Sequence, residues 1–351
     1  MTSVLMVLAN GGPGGMQVAV ERLALGLLHQ GHDVALAIGD PQPAPKGQLV
    51  TTALGHYRSS LLGGPRFAER LHRAVRGMRP AVVHGHGLRL APQLATLVGH
   101  AVCVTCHGLD PATARATASL VRASQVPAIS CGEGPRAVLE RAGLVSTVLP
   151  VGIDPPLSPI DKGATLRSLG LDPALELVVA PVRLSPQKDP CTLVDAVALV
   201  EGAALVLYGD GPLRREVEHR IAEHHLEDRC VIAPHRADLR AVLGGASALL
   251  LASRYEGHVL VALEAMAAGV PVVSTACTGV VEWAHNDVTA ALAPVGDAPG
   301  LAQRLQQVLG DARYRSALVA AGLELARGYS TSAMVEAHLT YYDSLVTTRR
   351  S

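Results

Sequence analysis

Phenylalanine and tryptophan occur once each in 351 residues and tyrosine seven times, so aromatic side chains make up only 3% of the chain. With hydrophobic residues at 49%, the cores must be built from Ala, Val and Leu; with 35 Gly and 23 Pro, that mixture suits parallel α/β layers joined by many short turns. Net charge is also lacking: 30 Lys and Arg balance 30 Asp and Glu, and no nucleic-acid partner is expected. The six cysteines, at 103, 106, 131, 191, 230 and 277, form no disulfide-like framework, and Met1–Leu8 carries neither a basic leader nor a cleavage site. A reducing, cytoplasmic location is the expectation. The uncharged stretch Ala265–Val281 is interrupted by Gly269, Pro271, Ser274 and Thr275, so it reads as a helix and a buried strand and not as a membrane span. No Asp-x-Asp metal motif occurs.

The length predicts two domains, each able to bury its own core. Apolar strands at Val4–Leu8, Asp33–Ile38, Ala81–His84 and Ala101–Thr105 alternate with helical patterns at Met16–His29, Arg66–Met78 and Pro135–Ala142. A second alternation runs through Leu177–Pro181, Thr192–Val200, Ala204–Tyr208, Leu213–His224, Ala248–Leu251, Leu260–Ala268 and Val272–Ser274, with the last helices at Leu301–Leu309 and Thr331–Val346. Between the two sets, residues 150–159 hold four prolines, where neither a helix nor a central strand can run. The expected units are a Rossmann-like domain over residues 1–155, a second over 156–330, and a final helix over 331–351. The first 155 residues hold 13 Lys and Arg against 8 Asp and Glu, and the remainder 17 against 22, so the halves differ in sign.

Three segments carry chemistry. Glu256 and Glu264 stand eight positions apart in a nearly uncharged stretch, the first before Gly257 and the second inside the helical run that ends at Gly269 and Pro271. A helix opening near Gly257–Leu260 would aim backbone N–H groups at an anion, with the two carboxylates taking hydroxyl hydrogen bonds beside it. Hydroxyls next to phosphates describe a nucleotide sugar. Arg183 and Lys188 lie on the loop after an apolar strand, where a guanidinium fork and an ammonium suit a diphosphate. Asn10–Gly15 follows the first strand and opens a helix, which equally describes a tight strand-to-helix turn. Its glycine spacing does not fit a dinucleotide fingerprint.

The stretch from Glu256 to Val272 resembles the Glu-x7-Glu signature of retaining glycosyltransferases of the GT4 type, with His258 and Val259 in place of the usual aromatic and small residue. Arg183–Asp189 is similar to that family's Gly-Arg-Leu-x-x-x-Lys-Gly loop, with Val182 and Asp189 replacing glycines; Tyr208–Leu213 resembles its Gly-x-Gly-Pro loop and Thr278–Glu282 its Gly-Gly-x-x-Glu segment. Thr105–Asp110 is similar to its His-Gly turn. The resemblance implies α/β GT-B architecture, two doubly wound Rossmann-like domains facing a central cleft, with the C-terminal helix crossing back to the first. It further implies transfer, with retention, from a nucleoside diphosphate sugar, UDP-linked by expectation, to a hydroxyl-bearing acceptor, with no metal or other cofactor. His107, Arg183, Lys188 and Glu256 are the implied catalytic residues; Gly14, Gly15, Gly209, Gly257, His258, Val259, Leu260 and Glu264 are the implied donor-binding ones.

Other readings stay open. A nucleotide-sugar epimerase shares this architecture, a lipid-linked or cell-envelope acceptor is an alternative to a small molecule, and a non-catalytic sugar-binding protein is the bland reading. The fifteen histidines invite a zinc site at His84, His86, Cys103, Cys106 and His107. Against it, Cys103 and Cys106 of one strand point to opposite faces. The helix over Arg66–Arg79 has a basic face (Arg66, Arg70, Arg73) opposite an apolar one, but the apolar face is needed to cover a sheet and three arginines offer an acidic membrane only about 3 kcal/mol. A soluble small-molecule acceptor, such as an antibiotic core, is therefore expected, without membrane association.

Overall fold

In the computed structural model, residues 1–8, 15–38, 50–53, 65–110, 112–234, 239–257 and 259–350 are described. The chain divides into two compact units, Met1–Gly152 with Tyr329–Ser351, and Ile153–Gly328. The first holds strands β1 (Ser3–Leu8), β2 (Asp33–Ile38), β3 (Val50–Ala53), β4 (Val82–His86), β5 (Ala101–Cys106), β6 (Ala128–Ser130) and β7 (Thr147–Val148). Its helices are α1 (Gly15–His29), α2 (Pro65–Met78), α3 (Ala91–Ala95), α4 (Ala114–Ser124) and α5 (Glu133–Arg141). The second unit holds α6 (Lys162–Ser168), β8 (Glu176–Pro181), α7 (Pro190–Ala198), β9 (Ala203–Tyr208), α8 (Arg214–Glu223), β10 (Cys230–Ala233), α9 (Leu239–Gly244), β11 (Ala248–Leu251), α10 (Leu260–Ala267), β12 (Val272–Thr275), β13 (Ala291–Ala293), α11 (Ala298–Gly310) and α12 (Ala312–Arg327). The last helix, α13 (Thr331–Arg350), belongs to the first unit.

Both sheets are parallel and doubly wound. The first runs β3-β2-β1-β4-β5-β6-β7 and the second β10-β9-β8-β11-β12-β13, so the strand order reverses between β1 and β4 and again between β8 and β11. Side chains of one strand alternate between two cores. Leu5 and Val7 of β1 face a core completed by Phe67, Leu71 and Val75 of α2, while Val4, Met6 and Leu8 face one completed by Val20, Leu23 and Leu27 of α1 and Met334, Val335 and Tyr342 of α13. Cys103 and Cys106 fall in these two different cores, as the strand period requires. The one phenylalanine is 1% exposed, and burying such a side chain contributes about 1.5–3 kcal/mol. The apolar face of α2 is thus spent on the sheet.

Helix α12 was not anticipated from the sequence. Only Leu318, Gly322 and Ala326 of its sixteen residues are buried, so its apolar stripe is too narrow and too small to register as a period. Asp311 fixes its start by accepting from the Arg313 and Tyr314 backbone N–H groups, and the helix packs on α10. No helix among the described residues is long and apolar enough to cross a membrane.

Candidate active site

In open parallel sheets ligands bind at the carboxyl ends of the strands where the order reverses. At that point of the second unit, β8 leads into the loop of residues 182–189 and β11 into that of residues 252–259, and the two loops are stitched together. Arg254 donates its backbone N–H to the Gln187 carbonyl at 2.8 Å, Gln187 Nε2 donates to the Tyr255 carbonyl at 3.0 Å, and the Arg254 guanidinium pairs with Asp189 at 2.8 Å. The consequence is a meeting of opposite charges: Lys188 Nζ donates to Glu256 Oε1. The Glu256 side chain is 7% exposed and that of Lys188 23%, so the carboxylate is largely withdrawn from water and the ammonium retains a route to it. Arg183 lies exposed on the same loop.

Asp189, standing where the family favours glycine, adopts φ 45° and ψ 58°. Aspartate is among the few side chains that tolerate this left-handed conformation, so the turn survives the replacement. At Gly209, after β9, φ is 155° and a Cβ would stand 2.1 Å from the Val182 carbonyl oxygen. Gly209 thus lets its loop lie against the Arg183 loop, shaping the site through the backbone.

Glu256 is held from three further directions, two of them through the Thr278–Glu282 segment that resembles a family motif. Ser253 Oγ donates to the same Oε1 that Lys188 reaches, and Thr275 Oγ1 donates to the Ser253 carbonyl at 2.6 Å. The Glu256 backbone N–H donates to the Thr278 carbonyl at 2.9 Å. Behind it Gly279, at φ 87°, approaches so closely that a Cβ would lie 2.4 Å from the Glu256 carbonyl oxygen. The chain's one tryptophan pins this turn, Trp283 Nε1 donating to the Gly279 carbonyl at 2.7 Å. With both donors on Oε1, the Oε2 edge of Glu256 is the one open to take a ligand hydroxyl. Nearby Cys277 is 2% exposed, and burial, reinforced by the charge of Glu256, pushes its thiol up to about 12, so it supplies no thiolate.

Helix α10 opens directly after this loop, with Val259 as its capping residue. Val259 and Leu260 are 4% and 7% exposed, so their side chains belong to the core and only their backbone can serve a ligand. Gly257 is buried beside them. Glu264 is half-buried in the second turn of α10. His258 and Gly14 lie outside the described residues. Gly15 is the first residue of α1, and a Cβ there would meet nothing within 4 Å.

In the first unit the strand order reverses between β1 and β4, and His86 closes β4 while His107 follows β5 directly. His86 Nδ1 and His107 Nε2 are 3.0 Å apart. Deeper in, His84 Nδ1 meets the Tyr342 hydroxyl at 2.7 Å and His84 Nε2 the Thr105 hydroxyl at 2.6 Å. His338 of α13 donates from Nδ1 to the Met334 carbonyl at 2.8 Å. Burial lowers the pKa of all four histidines, His107 and His338 to about 4. The rings therefore stand neutral at pH 7, those of His84, His86 and His338 as buried core side chains and that of His107 half-buried beside them. Among the described residues no three His, Cys, Asp or Glu side chains converge on a metal position.

Comparison with known proteins gives the family and the fold. Residues 14–152 match the glycosyl transferase 4-like domain and residues 176–311 the glycosyl transferases group 1 domain. The chain belongs to the GT4-type glycosyltransferases. It is an α/β GT-B protein and a glycosyltransferase. It is 27% identical to the 2-deoxystreptamine N-acetyl-D-glucosaminyltransferase of Streptomyces fradiae over 94% of this chain and 90% of that one. It is also 27% identical to the D-inositol 3-phosphate glycosyltransferase of Mycolicibacterium vanbaalenii, over all of this chain and 89% of that one. Among solved structures, Anabaena HepE in complex with UDP and glucose shares the fold at a TM-score of 0.86 and 18% identity, covering 98% of this chain and 100% of that one.

Proposed function

We propose that this glycosyltransferase moves a sugar, with retention and without a metal, from a nucleoside diphosphate donor, UDP-linked, to a hydroxyl of a small polyhydroxylated acceptor such as an antibiotic core. The observation that carries the reading is the Lys188–Glu256 pair at the point where the second sheet's strand order reverses. A diphosphate arriving there competes for Lys188, and Glu256 turns from an ion-pair partner into an acceptor for sugar hydroxyls. Arg183 and Lys188 together stabilise charge as it builds on the departing diphosphate. The bond from the anomeric carbon to the diphosphate oxygen breaks, a bond to the acceptor oxygen forms on the same face, and the acceptor proton passes to a phosphate oxygen. This route asks for no side-chain nucleophile, and the nearby thiol is not ionised.

The small acceptor draws support from the 2-deoxystreptamine N-acetyl-D-glucosaminyltransferase of S. fradiae, which aligns along nearly its whole length. The packing of Phe67, Leu71 and Val75 into the sheet also supports it, because it leaves α2 no apolar face for a lipid surface. Glu264 is assigned to the ribose hydroxyls. Glu264→Ala should weaken binding of the nucleoside diphosphate, measured by calorimetry, by about 1.5–3 kcal/mol, the worth of a hydrogen bond to a charged group. Unchanged affinity would remove Glu264 from the donor site.

A further inference from the structure

His86 lies one hydrogen bond from His107, the imidazole that the family resemblance assigns to the donor sugar, and the proposed reaction gives His86 no role. It pairs in register with Thr105 on the neighbouring parallel strand, and His107 follows two residues later, so both rings gather at one end of the sheet. Their centroids are 5.2 Å apart with planes tilted by 38°. His84, two residues back on the same face of β4, stacks on His86 at 4.1 Å and has both nitrogens committed, to Tyr342 and Thr105. That stack fixes the His86 ring from behind. His86 is 2% exposed, and its Nε2 has no hydrogen-bond partner. His86, Thr105, His107 and His338 line a cavity offering about 20 Å³ to a water-sized sphere, enough for one water.

A neutral imidazole carries one N–H and one lone pair, so a bond between two such rings has one donor and one acceptor. Whichever tautomer His86 adopts therefore dictates that of His107. With the proton on His86 Nδ1, His107 accepts at Nε2 and presents an Nδ1–H; in the reverse case it presents a lone pair. In either case Nε2 of His107 is occupied, and Nδ1 is the nitrogen left to meet a ligand. We propose that His86 is a positioning residue for His107, holding the ring through its Nε2 and setting the tautomer in which its Nδ1 meets the substrate. This inference rests on the reading of His107 as a substrate contact.

Asparagine and glutamine at position 86 separate positioning from packing. The Asn amide can place a polar atom where Nδ1 stood, and the Gln amide one where Nε2 stood. His86→Asn should keep kcat within about threefold of wild type, while His86→Gln should lower kcat at least tenfold, with nucleoside diphosphate affinity, measured by calorimetry, unchanged in both. Adding His86→Gln to His107→Ala should cost nothing further. Equal losses in the two His86 variants, or losses that multiply in the double variant, would reduce His86 to a packing residue and overturn the inference. If His107→Ala alone transferred sugar at the wild-type rate, the reading of His107 would fall and this inference with it.

Discussion

Replacing Lys188 by alanine should lower kcat about 10²- to 10³-fold, the loss typical when one preorganised donor to a developing charge is removed. The effect should fall on kcat more than on the Michaelis constant, because the diphosphate gains charge between ground and transition state and the missing ammonium is missed most there. Stability should fall as well. Breaking a buried pair leaves a stranded charge at about 3–5 kcal/mol; Lys188 keeps 23% exposure, so water relieves Glu256 in part and about 1–3 kcal/mol is expected. A variant with unchanged kcat and only a raised Michaelis constant would exclude Lys188 from the leaving-group site.

Acid should destabilise the first unit steeply. His338 is 6% exposed, and burial holds its pKa at about 4 against an unfolded value of 6.5, so between these two the unfolded chain binds the extra proton and the folded chain does not. Stability is thus complete above pH 6.5 and declines as pH falls towards 4, on the order of 3 kcal/mol from this ring alone. His84, His86 and His107 act in the same direction, and Tyr342, which meets His84 from α13, and Cys103, paired in register with His84 on β5, stay neutral throughout because burial raises them. Thermal melts from pH 7 to pH 4.5 should show a falling Tm, and His338→Leu should flatten that slope by about one proton's worth. A pH-independent Tm would mean that the rings are not held neutral.

The central strands of the two sheets were legible, and with them the loops that carry Lys188 and Glu256, because a strand's end fixes where its loop begins; that the two side chains pair was not. The supports of Glu256 were not. Ser253, Thr275 and Trp283 act through single hydrogen bonds to backbone or carboxylate oxygens, and such bonds leave no periodic trace. The histidines were legible as a cluster but open in chemistry, since His84 and His86 share a face by strand period alone. What makes them core side chains is a tyrosine 258 residues further on, brought in by α13. The Asp189 turn shows the opposite case: the residue that departs from the family pattern takes the left-handed conformation that glycine adopts freely.

The most direct test of the account is the anomeric configuration of the product. Purified protein would be incubated with α-linked UDP-sugars and a small polyhydroxylated acceptor, with and without excess chelator, and the anomeric proton of the product read by NMR coupling. The account predicts an α-linked product formed at the same rate under both conditions; a β-linked product, or transfer abolished by the chelator, would contradict it.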